Sequence, residues 1–315
     1  MTFPPPPVFT WEFPMSTAIT FSEYGAPEVL QLSEVALPQP GPGQVRIRVR
    51  AASVNPLDMK IRSGLMAKVA PARFPMIPGL DAAGVVDAVG EGAGAAVGDE
   101  VLGATVGGSY SEYALIERPV AKPEALSWEV AASLVTVGQT AHRVLGQLGV
   151  QAGQTLLVHG AAGSVGFIAV QLAAARGITV IGTVSEKDIE RVTALGATAV
   201  RYGDGWAERV TAAAPGGVDY VFDASGAGVL ADSVALTGDA AKVITIADMS
   251  AQQHGVRFSA GTTDQGTDAL PELVHLVAEG RLTVPIWRTY PLAETAQAHA
   301  DLEAHRNHGK AVLLP

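Results

Sequence analysis

Three glycines lie close together between an apolar run and a segment rich in helix-forming residues, in the stretch LLVHGAAGSVGFIAVQ (residues 156–171). Small residues at such a junction allow a tight turn, close approach of the backbone to a pyrophosphate, and packing of the helix on its strand. The spacing departs from G-x-G-x-x-G, and an ordinary glycine-rich turn is the alternative interpretation. The strand–turn–helix context nevertheless predicts a dinucleotide-binding turn, because free N–H groups at a helix start bind phosphates. The predicted contacts are Gly160, Ala162, Gly163, Ser164, Val165 and Gly166.

The end of the next predicted strand indicates which nicotinamide cofactor is bound. A site that prefers NAD places Asp or Glu there, about 20 residues further on, to bind the ribose 2′-hydroxyl. This chain has Thr183 and Ser185 at that place, followed by Lys187. Hydroxyl and ammonium groups can bind a 2′-phosphate, which a carboxylate would repel. The prediction is NADPH; the competing interpretation is a solvent-exposed Lys187 beside Glu186.

Two different patterns describe the elements that must position these residues. Before about residue 125, short β-type runs alternate with turn residues, and Gln44–Ala51 alternates polar and apolar side chains as a half-buried strand does. After about residue 128, short apolar strands alternate with helices, which is typical of a doubly wound parallel sheet. The predicted elements of this second part are strands Thr155–Val158, Thr179–Gly182, Asp219–Phe222 and Lys242–Ile246, and helices Val165–Ala175, Ile189–Leu195 and Ala269–Glu279. Ala311–Leu314 is a last predicted strand, which is expected to return to the first part of the chain.

Composition excludes several classes of function. The 315 residues contain 21 Lys+Arg and 31 Asp+Glu, a formal net charge of −10, and no cysteine. The absence of cysteine excludes disulfides, thiolate zinc sites, iron–sulfur clusters and a cysteine nucleophile. An acidic chain without a basic block is not expected to bind nucleic acid. No apolar stretch reaches the roughly 18 residues of a membrane helix, so we expect no membrane partner.

Residues 1–14 are expected to form a disordered leader. They contain a proline run and neither Lys nor Arg. A secretory signal peptide requires a basic start and an apolar middle, so the leader is not interpreted as one. Met15 is a candidate for the true start, and the expected location is the cytoplasm.

Several motifs in a fixed order resemble the zinc-free quinone oxidoreductase branch of the medium-chain dehydrogenase/reductase superfamily. They are VNPLDMKIRSG (54–64), PGLDAAGVVDAVG (78–90), GDEV (98–101), Thr140-Ala141, the glycine turn, LGA (195–197) and GKAVL (309–313). The resemblance implies an α/β protein with a GroES-like, mostly-β catalytic domain at residues 15–127 and 264–315. It also implies a Rossmann NADPH-binding domain, a doubly wound parallel sheet, at residues 128–263, with the active site in the cleft between the domains.

The same resemblance implies that no metal is bound. Zinc-dependent relatives carry G-H-E where this chain has Gly79-Leu80-Asp81, so leucine replaces a histidine ligand. Cysteine ligands are absent from the whole chain, and its seven histidines show no ligand spacing. The sequence also indicates no paired carboxylates, with Asp81 and Asp223 interpreted as turn residues.

The resemblance assigns roles to residues of the first part of the chain. Lys60 corresponds to a lysine that alkenal/enone reductases place near the substrate carbonyl, where many quinone reductases have tyrosine. A solvated lysine paired with a carboxylate is the alternative. Asn55 is expected to line the nicotinamide pocket, and Asp58 to hold its loop. Tyr110 is a second candidate donor, although a structural role is favoured for it.

The remaining predicted cofactor contacts also follow from the resemblance. Thr140 is expected at the nicotinamide end and Tyr202 at the adenosine phosphate. Ile246 and Ala247 are expected to offer backbone contacts to the carboxamide, with a buried strand end as the alternative. Lys310 is expected to reach the cofactor.

The expected activity is transfer of hydride from NADPH to a quinone or a small α,β-unsaturated carbonyl compound. Two alternatives stay open: an enoyl-thioester reductase of a biosynthetic pathway, and a non-catalytic NADPH-binding protein. The only expected partner is a small-molecule substrate. The residues do not indicate an oligomeric state, whereas the resemblance implies a homodimer joined through the cofactor domain.

Overall fold

The computed structural model describes residues 14–261 and 269–315. The predicted leader up to residue 13 and the predicted boundary between residues 263 and 264 lie outside them. The chain begins with an antiparallel pair, β1 (Met15–Thr20) and β2 (Gln31–Ala36), joined through a 3-10 helix at Pro27–Val29.

A seven-stranded sheet forms the first large unit, with the order β14-β15-β3-β4-β5-β6 and β7 paired to β5. Its strands are β3 (Val45–Ser53), β4 (Asp81–Val89), β5 (Glu100–Val106), β6 (Tyr113–Ile116), β7 (Val120–Ala121), β14 (Ile286–Pro291) and β15 (Lys310–Leu314). β6 also pairs with β3, so β3 to β6 close into a barrel. In β3, Val45, Ile47 and Val49 are buried while Arg48 and Arg50 are exposed, as the alternation predicts. Arg46 departs from it, because this arginine is buried and pairs with Asp87.

The end of the chain returns to this barrel. β15 pairs antiparallel with β3, placing Val312 beside Ser53 and Leu313 beside Ala52. β14 lies parallel to β15, and between them run a 3-10 helix, Leu292–Glu294, and α8 (Thr295–Glu303). The predicted return of the last strand to the first domain is confirmed.

A six-stranded parallel sheet forms the second unit, with the order β10-β9-β8-β11-β12-β13. Its strands are β8 (Thr155–His159), β9 (Thr179–Val184), β10 (Thr198–Arg201), β11 (Tyr220–Asp223), β12 (Val243–Thr245) and β13 (Arg257–Phe258). The connecting helices are α3 (Ser164–Ala175), α4 (Ile189–Thr193), α5 (Trp206–Ala213) and α6 (Leu230–Thr237), with 3-10 helices at Glu186–Asp188, Ala240–Lys242 and Ala251–His254. The predicted α/β fold class, a mostly-β barrel unit and a Rossmann-like parallel sheet, is confirmed.

One long helix joins the two units. α2 (Trp128–Leu148) begins where the side chain of Ser127 accepts the N–H of Val130 at 3.3 Å, and ends at Gly149. It packs against β3, β4 and β5 of the barrel, and against α3 and α7 (Ala269–Ala278) on its other side. Because buried side chains line both of its faces, α2 anchors barrel strands and cofactor-sheet elements in one hydrophobic core. A short helix, α1 (Pro56–Arg62), follows β3.

No helix in residues 14–261 and 269–315 is long and apolar enough to cross a lipid bilayer.

Candidate active site

The glycine turn lies between β8 and α3, where the sequence predicts it. Gly160 has a φ of +71°, a left-handed conformation that side chains with a Cβ rarely adopt. A Cβ on Gly166 would lie 2.2 Å from the carbonyl oxygen of Gly160 and 2.9 Å from the Cα of Ala161. Helix α3 therefore packs directly on the backbone of the turn, and Gly166 is required for that contact.

The backbone donors of this turn are available for a ligand. The N–H of Gly163 donates to Gly160, and that of Phe167 donates to Gly163. Four further N–H groups form no hydrogen bond with any described residue, namely those of Ala162, Ser164, Val165 and Gly166. Donors of this kind at the positive end of a twelve-residue helix suit a pyrophosphate. The turn therefore fits a dinucleotide cofactor.

The carboxyl ends of neighbouring parallel strands bring the other predicted cofactor residues to this edge of the sheet. Ser185 and Lys187 follow β9, and Tyr202 follows β10 with 61% of its surface exposed. Ile246 and Ala247 follow β12, and Ala247 donates its N–H to Thr245 at 3.1 Å. The strand order thus gathers residues that are up to 87 positions apart in the sequence, from 160 to 247.

Two of the predicted hydroxyl groups already have protein partners. The Ser185 hydroxyl donates to Oδ2 of Asp188 at 2.5 Å. Thr183 is buried, and its hydroxyl lies 3.0 Å from Nδ1 of His159. Burial lowers the pKa of His159 to about 4, although the charge of Asp223 opposes this change. This histidine is therefore neutral, and its role is to form hydrogen bonds inside the fold. Lys187 remains exposed at the surface.

A cation that the sequence patterns do not indicate lies next to the turn. Arg191 of α4 lies over the ring of Phe167, with its guanidinium carbon 4.5 Å from the ring centroid. It donates to the carbonyl of Ala162 at 3.4 Å and lies 3.8 Å from a carboxylate oxygen of Asp188. No sequence motif includes Arg191, because it is one polar residue among others in a helix. Its place between the turn and the end of β9 results from the position of α4 in the fold.

The second group of predicted residues lies on and before α1. Asn55 precedes the helix, is 1% exposed, and donates its backbone N–H to Oδ2 of Asp58 at 2.8 Å. Pro56 at the first helical position and this carboxylate at the helix start fix the first turn. Lys60 is half-buried on the same helix. Its ammonium pairs with no carboxylate in the part of the chain that the structure describes.

Tyr110 lies inside the barrel core rather than at an accessible surface. It is fully buried, and its hydroxyl donates to Oδ2 of Asp58 at 2.9 Å. His299 of α8 packs edge-on against its ring, with Nε2 3.4 Å from the Tyr110 hydroxyl. Burial raises the pKa of Tyr110 well above its usual value, with the charge of Asp58 adding to the rise. The hydroxyl is therefore a fixed donor to Asp58.

His299 makes the stability of the fold sensitive to acid. Burial, and secondarily the charge of Arg62, lowers the pKa of His299 to about 3 from its usual 6.5. Below pH 6.5 the unfolded chain takes up a proton that the folded chain refuses, so the free energy of unfolding falls as the pH drops. Replacing His299 by glutamine is expected to remove about 2 kcal/mol of the loss between pH 7 and pH 5.

Urea unfolding of both proteins at pH 7 and pH 5 measures this difference. His308→Gln, at an exposed histidine, serves as the matched control and should behave as the unaltered chain does. An equal loss of stability in His299→Gln and the unaltered protein would show that His299 does not carry the effect.

The expectation that the chain has no paired carboxylates was wrong for Asp58 and Asp81. Asp58 and Asp81 are both fully buried, and both hydrogen-bond to Asn55. Burial raises the pKa of Asp58 to about 7 and the charge of Asp81 adds to the rise, while hydrogen bonds from Asn55 and Tyr110 oppose it. Asp81, interpreted from sequence as a turn residue, is the first residue of β4. The pairing was missed because it depends on the pairing of β3 with β4, which places Asp81 beside Ser53 and so brings two carboxylates 23 positions apart to the same asparagine.

Helix α2 and strand β15 complete the surroundings of Asn55. Thr136, which the sequence analysis did not single out, donates its hydroxyl to Oδ1 of Asp81 at 2.6 Å. Thr140, one turn further along α2, is 9% exposed. Lys310 is 2% exposed and donates to Asn55 Oδ1 at 2.6 Å. Lys310 is therefore directed into the barrel unit.

The donor set around Asp81 does not fit a zinc ion. The position before it is Leu80, the chain contains no cysteine, and both carboxylate oxygens of Asp81 already accept hydrogen bonds. Across the described ranges, no group of three His, Asp or Glu residues could hold a metal ion. Zinc in proteins requires nitrogen, sulfur or carboxylate ligands in tetrahedral positions, and this site offers none that are uncommitted.

Two family models match the chain. The alcohol dehydrogenase GroES-like domain matches residues 41–123, and the zinc-binding dehydrogenase model matches residues 195–313. The first range covers most of the barrel, and the second covers the later part of the parallel sheet and the return of the chain to the barrel.

Several relatives match the chain along nearly its whole length. A quinone oxidoreductase from Lama guanicoe is 35% identical over 321 residues, covering 94% of this chain and 97% of the relative. The structure of the quinone oxidoreductase from Coxiella burnetii superposes with a TM-score of 0.85 at 32% identity, covering 96% and 100% of the two chains. A mycobacterial protein described as complexed with NADPH gives a TM-score of 0.84 at 31% identity, covering 95% and 100%.

Proposed function

The chain belongs to the medium-chain dehydrogenase/reductase superfamily, and from that premise we propose that it is an NADPH-dependent, zinc-independent reductase of quinones or small α,β-unsaturated carbonyl compounds. Membership makes it an oxidoreductase with a nicotinamide cofactor. The observation that carries the proposal is the cofactor turn, with its four uncommitted N–H groups and a helix packed on its backbone at Gly166.

Lys60 is the residue that we assign to the substrate. When bound, the reduced nicotinamide supplies a hydride to the β-carbon of an enone or to a quinone, leaving negative charge on a substrate oxygen. An ammonium donor near that oxygen stabilises the charge as it develops. Lys60 is half-buried on a short helix fixed at its start, and it has no carboxylate partner among the described residues to neutralise it. Its charge is therefore available to the substrate.

Zinc independence is supported by the residues themselves. Alcohol–aldehyde interconversion uses a Lewis acid to stabilise an alkoxide. Reduction of an electron-poor alkene or quinone can instead use a hydrogen-bond donor. The commitment of Asp81 to Ser53, Asn55 and Thr136 leaves no ligand set for a metal.

The preference for NADPH is supported by the cation beside the turn and by the relative that is described with NADPH. An Arg near the end of the second strand accommodates the 2′-phosphate in NADP-binding Rossmann folds. We assign this role to Arg191, because it lies against the turn, whereas Ser185 donates its hydroxyl to Asp188 and Lys187 is exposed. Arg191 also offsets the negative charge of Asp188 near the end of β9.

Replacing Arg191 by methionine is expected to raise the Kd for NADPH by about 10–100-fold, since a hydrogen bond to a charged group contributes about 1.5–3 kcal/mol. The Kd for NADH should change by less than about threefold, because NADH lacks the 2′-phosphate. Titrations of both cofactors, followed by nicotinamide fluorescence, measure the two constants. Arg176→Met, at an exposed arginine, is the control. Equal weakening of both cofactors would place Arg191 at the pyrophosphate and remove this support for NADPH selectivity.

The activity itself is tested by following the absorbance of NADPH with a panel of acceptors. Consumption of NADPH with quinones or with small enals and enones is the expected result. Turnover of enoyl thioesters alone would favour a biosynthetic enoyl-thioester reductase. Tight binding of NADPH with no turnover of any acceptor would favour a non-catalytic cofactor-binding protein.

A further inference from the structure

Lys310, the first residue of β15, is a buried ammonium group in the barrel. Its side chain is 2% exposed, and Nζ donates to the carbonyl of Val54 at 2.9 Å and to Oδ1 of Asn55 at 2.6 Å. Burial of a charge is costly unless the group is paired and hydrogen-bonded. The position of Lys310 therefore depends on the polar groups around Asn55.

The amide of Asn55 has only one orientation that satisfies both of its neighbours. An ammonium can only donate and a carboxylate can only accept. Since Nζ of Lys310 lies at one end of the amide and Oδ2 of Asp81 lies 2.9 Å from Nδ2, the amide oxygen must face the lysine. Lys310 and Asp81 together fix this side chain.

Asp81 connects the amide to three further elements. Its Oδ2 accepts hydrogen bonds from the Ser53 hydroxyl at 3.0 Å and from the N–H of Thr136 at 3.2 Å. Its Oδ1 accepts the Thr136 hydroxyl. The end of β3, the start of β4 and the middle of α2 therefore meet at the carboxylate that holds Asn55.

Asn55 in turn defines the start of α1. Its N–H donates to Oδ2 of Asp58, which also accepts the Tyr110 hydroxyl. The helix has only seven residues, and Lys60 lies two positions after Asp58. A shift of Asn55 would therefore move the helix turn that carries Lys60.

We propose that Lys310 is a positioning residue for the reductase reaction: its ammonium, with the carboxylate of Asp81, fixes Asn55 and thereby the start of the helix that presents Lys60 to the substrate. This inference rests on the proposed function. It assigns Lys310 a role within the barrel, in place of the direct cofactor contact that the sequence resemblance implies, because both of its hydrogen-bond acceptors are internal.

The charge of Lys310 gives the proposal a distinctive pH readout. Burial lowers the pKa of Lys310 to about 8, while the carboxylates of Asp81 on β4 and Asp58 on α1 oppose that change. The positive charge is thus lost as the pH rises through about 8, and the hydrogen bond that holds Asn55 loses its charge-assisted strength. The charge of Lys310 also lowers the pKa of Asp58, so the pKa of Asp58 should rise in the variant, and the two pH profiles compare the interacting pair with Asp58 alone.

The test compares the full-length protein with Lys310→Met, measuring the Kd for NADPH by fluorescence and kcat and KM with the best acceptor from the panel. We expect kcat to fall by about 10–100-fold, since a misplacement of about 1 Å has effects of that size. The Kd for NADPH should stay within about twofold. The decline of kcat above pH 8 in the unaltered protein should disappear in the variant. Lys242→Met is the matched control and should match the unaltered protein.

A double variant that removes one positive and one negative charge keeps the test valid if Lys310→Met alone does not fold. Lys310→Met/Asp81→Asn removes both buried charges, and it is measured beside Asp81→Asn alone. Because both residues act through Asn55, the double variant should lose about as much kcat as the larger single loss, rather than the product of the two.

Three results would overturn the proposal: an unchanged kcat in folded Lys310→Met, an unchanged kcat in the folded double variant, or a rise of tenfold or more in the Kd for NADPH with little change in kcat. The last would make Lys310 a cofactor ligand. Failure of the unaltered protein to oxidise NADPH with any acceptor would instead contradict the proposed function, so the two failures are distinguishable.

Discussion

Lys60→Met should lower kcat for a small enone by about 10²–10³-fold, the range measured when one donor to a developing oxyanion is removed. Methionine keeps the length and much of the apolar stem of the side chain but has no charge and no donor. The cofactor turn lies on a different unit of the fold, so the Kd for NADPH should be unaffected. Steady-state turnover and fluorescence titration separate the two quantities.

Lys68→Met is the matched control for this prediction. Lys68 is exposed in the turns that follow α1, eight residues after Lys60, so its loss should leave kcat within about twofold. Unchanged turnover in Lys60→Met would contradict the role of Lys60 and would favour the alternative, in which this lysine is only solvated. Equal losses in both variants would indicate a general effect of positive charge near the cleft rather than a placed donor.

Gly166→Ala should abolish cofactor binding at working concentrations, raising the Kd for NADPH by more than about 100-fold. The new Cβ would lie 2.2 Å from the carbonyl oxygen of Gly160, a backbone atom that cannot rotate away. The turn and α3 must separate to accommodate it, which displaces the N–H groups of Ser164 and Val165 from the phosphates. Overpacking of this kind also costs about 1–3 kcal/mol of folding stability.

Gly146→Ala on α2 is the control for Gly166→Ala, because a Cβ at Gly146 meets no atom within 4 Å. That substitution should stabilise the protein by about 0.5–1 kcal/mol, since alanine is the better helix former, and should leave the Kd unchanged. Urea unfolding and fluorescence titration measure both effects. Normal NADPH affinity in Gly166→Ala would mean that the turn does not bind the pyrophosphate, and the cofactor assignment would be wrong.

Local signals were sufficient for the turn and the strands of the cofactor half, although not for Arg191. The turn at 160–166 and the strands around it depend on short-range patterns, namely glycine spacing, apolar runs and flanking turns. The strand at residues 311–314 is likewise an apolar run, but its place in the barrel depends on pairing with residues 52 and 53. The observed elements differ from the predicted ones by only a few residues; for example, β9 continues two residues beyond Gly182. Such patterns predict the strands well because a buried parallel strand is specified mainly by a run of apolar residues.

The polar network of the barrel could not be predicted in the same way. Asn55 and Lys310 are 255 positions apart, and Asp81 and Thr136 are 55 apart, so no spacing rule links them. The roles of Arg191 and His299 could not be predicted from the sequence either, because they depend on which face of each helix is buried. The family resemblance implied that Lys310 contacts the cofactor, whereas in the structure its ammonium donates to Asn55.

Direct hydride transfer to a conjugated acceptor is the central claim, and isotope transfer tests it most directly. The protein is incubated with a small enone and NADPH that carries deuterium at the transferable C4 position, and the product is analysed by mass spectrometry and NMR. The account predicts one deuterium at the β-carbon of the saturated ketone and none at the α-carbon. Oxidation of NADPH with the enone recovered unchanged, or a product whose β-carbon carries only hydrogen, would contradict it.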